Sequence, residues 1–157
     1  MTTMTVMTMV IAVIVLSVAA CQRRPVMATS SFAHLPHAGW LSSKPLSFFP
    51  VYGDSSASYN LTLAVRHTNS YRYRNLSLVV DVVAADSSVN RKTLDLSLAD
   101  EYGNWSGGGF GALYQATQPI LSGVNPKQVR NVVVWQTMAG CDTLSGIVDV
   151  GIIVQPK

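Results

Sequence analysis

The chain has 157 residues, of which only 12% are charged, about half the ~25% that is usual for soluble domains. Its 11 Lys and Arg residues against 8 Asp and Glu residues give a net charge of +3 without any basic tract. This composition excludes a disordered chain and argues against a nucleic-acid partner. The length suits one domain, whose core is large enough to need no disulfide or metal.

The N-terminal segment predicts where the protein works. Residues 6–20 are apolar apart from Thr8 and Ser17, and this run is shorter than the ~20 residues that a membrane-spanning helix needs. It is typical of the hydrophobic region of a signal peptide. Because the run ends in Val-Ala-Ala followed by Cys21, it looks like the lipobox of bacterial lipoproteins.

We therefore predict a lipoprotein signal peptide over residues 1–20, cleavage before Cys21, and acylation of Cys21. Several acyl chains would hold the protein firmly in a membrane of the cell envelope, on the side that faces the periplasm; inner and outer membrane both remain open. The alternatives are an uncleaved anchor helix and an ordinary signal peptide followed by a chance cysteine. Residues 21–36 have little periodicity and predict a lipidated cysteine with a flexible tether, followed by a folded domain over residues 37–157.

Apolar and polar residues alternate along several later segments, as they do in half-buried strands. The alternation is clear at residues 59–66, 76–83 and 93–98, and further strands are predicted at 46–51, 129–137 and 147–154. Residues 112–116 are the best candidate for one short helical turn. About seven to eight strands separated by polar turns predict an all-β fold, an antiparallel β-sandwich with either jelly-roll or Ig-like topology. The side chains expected in its core are Leu61, Leu63, Val65, Leu76, Leu78, Val80, Leu94 and Leu96.

The sequence indicates no catalytic, metal or cofactor site. The three histidines lack the spacing of zinc ligands, and no G-x-S-x-G motif is present. Asp100, Glu101 and Asn104 carry oxygen atoms of the kind that calcium takes, but their spacing favours a solvated turn. Acylation of Cys21 would leave Cys141 without a disulfide partner. We predict that the protein is not an enzyme.

One cluster combines charge with aromatic rings. Its six members fall within nine residues at the end of a predicted strand: Arg66, His67, Tyr71, Arg72, Tyr73 and Arg74. Guanidinium groups and ring faces can contact an anionic or carbohydrate surface. The alternative is structural, with the arginines solvated at a hairpin tip and the tyrosines packed over its edge.

The same cluster carries a family resemblance. Residues 66–76, RHTNSYRYRNL, resemble the RHTN-x-Y-x-Y-x-N-L signature of the GldH family of gliding-motility lipoproteins from Bacteroidetes. Family members often have proline at the position of Arg72, so this turn is more basic here. Other matching pieces occur in the same order along the chain, at Cys21 and at residues 35–40, 98–100, 103–105, 107–114, 136–138 and 144–151.

The resemblance implies a membrane-anchored, non-enzymatic component of the gliding apparatus or of its associated secretion machinery. Its partners would be the lipid bilayer, through Cys21, and envelope proteins, and it brings no catalytic residue or cofactor. A second hypothesis is a glycan-binding lipoprotein that uses Trp40, Trp105 or Trp135 as sugar platforms. We expect Trp135 in the core and Trp105 exposed, as part of the interaction site. Coplanar solvent-facing rings would favour glycan binding, whereas buried tryptophans would favour protein docking.

Overall fold

A computed structural model describes residues 27–157, which contain eleven β-strands. The strands are β1 (Thr29–His34), β2 (Trp40–Leu41), β3 (Leu46–Phe48), β4 (Tyr59–Thr68), β5 (Asn75–Ala84), β6 (Val89–Ser97), β7 (Gly108–Phe110), β8 (Leu113–Val124), β9 (Val129–Gln136), β10 (Thr143–Leu144) and β11 (Ile147–Pro156). Among these residues no helix is long and apolar enough to cross a membrane. The all-β prediction is confirmed.

Two antiparallel sheets pack face to face as a sandwich. One has the strand order β1-β11-β4-β8-β7 and the other the order β3-β9-β5-β6, while β10 and β2 form a small separate sheet. The inward positions of β4 and β5 alternate with outward ones, as the pleat requires. Of the predicted core, Leu94 is half-buried against the core cluster, and the other members are buried: Leu61, Leu63, Val65, Leu76, Leu78, Val80 and Leu96.

The register gives the sandwich two distinct ends. Thr29 pairs with Val154, which pairs with Leu61 in the same sheet, so β1 begins where β11 ends; we call this the tether end. His34 pairs with Asp149, which pairs with Arg66. These residues lie at the opposite end, which we call the far end. The far end carries the β4–β5 turn, residues 69–74, and the tether end carries the β8–β9 loop, residues 125–128.

The folded domain begins earlier than the sequence predicted. Thr29–His34 pairs with β11 along its whole length, so the part of the predicted tether from Thr29 onward belongs to the sandwich and the boundary at residue 37 is wrong. β1 is an edge strand whose side chains are partly or fully exposed. It is therefore held by backbone hydrogen bonds without a clear apolar alternation. The predicted signal peptide and Cys21 lie outside the described residues.

The predicted helical turn at residues 112–116 is also wrong, because β8 begins at Leu113. Its pairing with β4 is interrupted by register shifts near Leu121 and Pro119, which break the period-two pattern that identifies a strand. β7 pairs only with residues 113–115 of β8, so the rest of β8 is a sheet edge. A proline without an N–H group is tolerated there.

Candidate functional site

The basic and aromatic cluster lies at the far end, around the β4–β5 turn. The turn is anchored at its start, where the Tyr71 amide donates to the Thr68 carbonyl (3.1 Å) and the Thr68 amide donates to the carbonyl of Gly146 (2.9 Å). At its other side, the Arg74 carbonyl accepts hydrogen bonds from the amides of Leu98 (2.8 Å) and Ala99 (3.0 Å). The backbone of the turn is therefore held by the connection between β10 and β11 on one side and by the residues that follow β6 on the other.

His67 is a core residue. It continues the inward series of β4 after Val65 and is fully buried. Its ring lies 4.7 Å from that of Trp105, 5.5 Å from the nearly parallel ring of Tyr114 and 5.8 Å from that of Tyr71, centroid to centroid.

The two ring nitrogens of His67 have different surroundings. Nδ1 is 3.3 Å from the Thr68 carbonyl oxygen, and Nε2 is buried without a hydrogen-bond partner among the described residues. Burial lowers the pKa of His67, and the bond to Thr68 opposes this only in part. The ring is thus suited to packing as a neutral group.

Arg66 braces the outer face of the five-stranded sheet. Its Nε donates to Oε1 of Gln115 (2.9 Å), and one terminal nitrogen lies 3.5 Å from a carboxylate oxygen of Asp149. Its guanidinium carbon stands 4.0 Å from the ring centroid of Phe32. Since these partners belong to β8, β11 and β1, this one side chain links four adjacent strands. Asp149 also meets Nδ1 of His34 at 2.9 Å.

Tyr71 ties the turn to the core. Only 3% of the residue is exposed, and its hydroxyl donates to the Asn75 carbonyl oxygen (2.7 Å). Burial is the main cause that raises the pKa of Tyr71. Gly146 approaches Tyr71 so closely that a Cβ atom there would lie 2.6 Å from the Tyr71 Cα atom, and its φ of +88° also favours glycine.

The other three members of the cluster face solvent. Arg72 and Arg74 are exposed, and among residues 27–157 neither forms a salt bridge. Tyr73 is 40% exposed, with its ring edge-on to Tyr71 at 5.7 Å. Tyr102, in the neighbouring loop, is 82% exposed. The six-residue cluster therefore divides into three packed side chains and three that a partner could reach.

The tryptophans lie differently from the expectation. Trp105 is half-buried against His67 rather than exposed, because its bridge to Ala99 folds the loop back on the core. Trp135 is not in the core, because Val134 and Gln136 occupy the inward positions of β9; its ring lies 5.7 Å from the Arg91 guanidinium carbon. Trp40 is buried and donates from Nε1 to the Lys44 carbonyl (2.9 Å). Within the described part of the chain, the tryptophans form no stacked pair.

Sequence reasoning missed Gln136, a buried amide at the far end. Its Nε2 donates to the Cys141 carbonyl (3.0 Å), and its Oε1 accepts from the Met138 amide (3.0 Å). These bonds shape the loop that precedes β10. Continuing the alternation of Val132 and Val134 by one step would have placed this side chain inward. Cys141 itself is free and half-buried.

The Asp100 carboxylate is engaged within its own turn. It accepts hydrogen bonds from the Tyr102 amide (2.9 Å), the Asn104 amide (2.8 Å) and Nδ2 of Asn104 (2.8 Å). The bonds from Asn104 are the largest causes that lower the pKa of Asp100. Asp100, Glu101 and Asn104 are all exposed. This geometry is that of a hydrogen-bonded surface turn.

Comparison with known proteins identifies the family. The sequence profile described as GldH lipoprotein matches residues 27–154, which is most of the chain. The chain belongs to the GldH lipoprotein family. The resemblance carried by residues 66–76 is thereby confirmed.

Two curated relatives are similar over most of their length. One is a gliding motility lipoprotein GldH homolog from Christiangramia forsetii, 29% identical over 110 residues, which cover 65% of this chain and 68% of the relative. The other is the gliding motility lipoprotein GldH of Flavobacterium johnsoniae, 26% identical over 126 residues, which cover 76% of this chain and 79% of the relative. The family profile, which matches residues 27–154, spans nearly all of the sandwich, including its far end.

Proposed function

We propose that this GldH family member is a non-enzymatic envelope lipoprotein, anchored through acylated Cys21, that acts as a protein-interaction module of the gliding apparatus or its associated secretion machinery. The docking surface is the exposed side of the β4–β5 turn, formed by Arg72, Tyr73 and Arg74. One observation carries this assignment: these three side chains are accessible, while Arg66, His67 and Tyr71 are engaged in packing. The two relatives, which are named as gliding motility lipoproteins, support a role in motility.

The position of the turn suits docking. β4 and β5 each have ten residues, which corresponds to a strand length of roughly 34 Å. The turn lies at the far end, and the chain that comes from Cys21 enters at the tether end. The turn is therefore held away from the bilayer, where an envelope protein can reach it.

The glycan alternative has less support. Sugar platforms require ring faces that are open to solvent, whereas Trp40 is buried and Trp105 packs against His67. Arg72 and Arg74 instead provide two exposed cations beside Tyr73, and Tyr and Arg are residue types enriched at protein interfaces. We therefore favour protein docking.

The docking proposal is tested with the double variant Arg72→Ala/Arg74→Ala. We expect an unchanged melting temperature, because both side chains are exposed, and reduced cross-linked capture of partners from the organism's own membranes. The reduction should be larger at low salt, where exposed charges are least screened. The matched control is Lys127→Ala/Arg130→Ala, which removes two exposed cations from the tether end and should leave capture intact.

If a normally folded Arg72→Ala/Arg74→Ala variant captures partners as well as the unsubstituted chain does at low salt, this turn is not the docking surface. The loop of residues 102–110 would then be examined next.

The anchor is tested separately with Cys21→Ser. This change should abolish acylation and leave the chain uncleaved or differently processed. Mass spectrometry of the mature, unsubstituted protein should find Cys21 acylated and residues 1–20 removed. Retention of residues 1–20 would contradict the proposed anchor.

A further inference from the structure

Three large apolar side chains are exposed at or near the tether end. Met27 is 75% exposed, Phe49 66% and Val51 65%. The Thr29 hydroxyl donates to the Val51 carbonyl (2.5 Å), which holds the segment after β3 against the first residue of β1. We call Met27, Phe49 and Val51 the tether-end patch. Contiguous exposed apolar surface is typical of sites that contact a protein or a membrane.

The patch is not the opening of a ligand pocket. The cavity between residues 29–31 and residues 48–51 has a volume of about 20 Å³, which is room for roughly one water molecule. Its floor is apolar and includes Ile152 and Val154. A partner for Phe49 and Val51 must therefore cover them from outside, as a surface does.

The sequence limits how far the patch can lie from the predicted anchor. Six residue steps separate Cys21 from Met27, and at about 3.6 Å per step they span at most ~22 Å. This reach is shorter than the ~34 Å length of a ten-residue strand. The same stretch contains Arg23 and Arg24, and basic residues beside an anchor are attracted to anionic lipid headgroups.

We propose that the tether-end patch is a second membrane contact, in which Met27, Phe49 and Val51 insert into the interface of the bilayer that holds the acyl chains. This inference rests on the proposed acylation of Cys21. The charges around this end are mixed, with Lys127, Arg130 and Lys157 against Asp54 and Asp86. The contact therefore depends chiefly on apolar burial.

Anchoring makes such a small patch effective. A tethered surface meets the bilayer at a high effective concentration, so a contact that is weak by itself can still be occupied. Two contacts also orient the sandwich. With the tether end against lipid, the far end and its β4–β5 turn point away from the membrane.

The test uses the full-length lipidated protein in vesicles of phosphatidylethanolamine and phosphatidylglycerol, with Cys141→Ser as background. An environment-sensitive fluorophore is attached at Val51→Cys, at Phe49→Cys as a second position, or at Tyr102→Cys as a control at the far end. All three parent side chains are exposed, so labelling should not disturb the core. We expect lipids with a quencher on the acyl chain to quench the labels at 49 and 51 several-fold more than the label at 102.

Equal quenching at the three positions, in protein that floats with the vesicles, would overturn the membrane contact and leave the anchor intact. Protein that does not float with the vesicles would overturn both the anchor and the contact. Labels at 49 and 51 that are shielded in proportion to protein density, without response to the lipid quencher, would show that a second copy covers the patch. That result would also overturn the assignment to lipid.

Discussion

The contact between Gly146 and Tyr71 predicts that Gly146→Ala disrupts the far end. A left-handed backbone conformation costs an L-residue roughly 1–2 kcal/mol, and Gly146 has φ +88°. The new Cβ atom would also lie 2.6 Å from both N and Cα of Tyr71. Overpacking typically costs about 1–3 kcal/mol, and these backbone atoms cannot rotate away as a side chain can. The expected loss of stability is therefore roughly 2–5 kcal/mol.

Gly140→Ala is the matched control. Gly140 also has a left-handed backbone, φ +69°, but a Cβ atom there would have no neighbour within 4 Å. This variant should lose only the conformational part, about 1–2 kcal/mol. The effect of glycine on the unfolded chain is common to both variants and cancels in their difference.

Urea unfolding of the two variants, followed by tryptophan fluorescence, measures this difference directly. Trp105 lies 6.4 Å from Tyr71, centroid to centroid, so its emission should also report any displacement of the turn. Gly146→Ala should lose partner capture along with stability, because Tyr71 positions Arg72 and Arg74. If Gly146→Ala is no less stable than Gly140→Ala, the close packing of Gly146 on Tyr71 is refuted.

Two further measurements address the core and its buried histidine. Leu78→Ala should lower the free energy of unfolding by roughly 2–5 kcal/mol, because Leu78 is fully buried. The control Leu41→Ala should lower it by less than about 1 kcal/mol, because Leu41 is 37% exposed. Similar losses in the two variants would contradict the core assignment. Burial lowers the pKa of His67 below its ordinary 6.5. As the pH falls, His67 is therefore protonated in the unfolded chain before it is protonated in the folded one. Stability decreases as the pH falls from about 6.5 through the lowered pKa. His67→Gln should flatten the pH dependence of stability below about pH 6.5. If the unfolding free energy, measured by denaturant titration at several pH values, varies with pH as steeply in this variant as in the unsubstituted chain, the ring is not buried in its neutral form.

Sequence pattern predicted best those strands that have one face in the core. β4 and β5 were recognisable because Leu61, Leu63, Leu76 and Leu78 alternate with outward residues, and each strand has a neighbour on both sides. β1 and most of β8 escaped detection for the opposite reason. An edge strand buries little, so its side chains are under weak selection for alternation and its pairing depends on backbone groups.

The candidate site was predictable only in part. The position of His67 follows from extending the alternation of β4 by one step beyond Val65. The role of Arg66 could not be read in this way, because its partners Gln115, Asp149 and Phe32 come from three other strands. Strand order is a long-range property, and a single sequence offers several orders that satisfy the same local patterns.

The positions of the family signature differ in what their side chains do in the structure. The specified letters Arg66, His67 and Tyr71 are engaged in the contacts described above, and Leu76 is fully buried. Asn75 donates from Nδ2 to a carboxylate oxygen of Asp95 (2.6 Å).

The unspecified letters of the signature are Ser70, Arg72 and Arg74, and all three are exposed. Six of the eight specified positions are buried or half-buried, and only Asn69 and Tyr73 are exposed, so the signature mainly describes the platform that holds the turn. The signature therefore accounts mainly for the shape of the far end, and of the proposed docking residues it specifies Tyr73 but neither Arg72 nor Arg74. The proposed Arg72→Ala/Arg74→Ala variant thus tests exposed positions that the signature leaves open, while Gly146→Ala tests the platform that holds them.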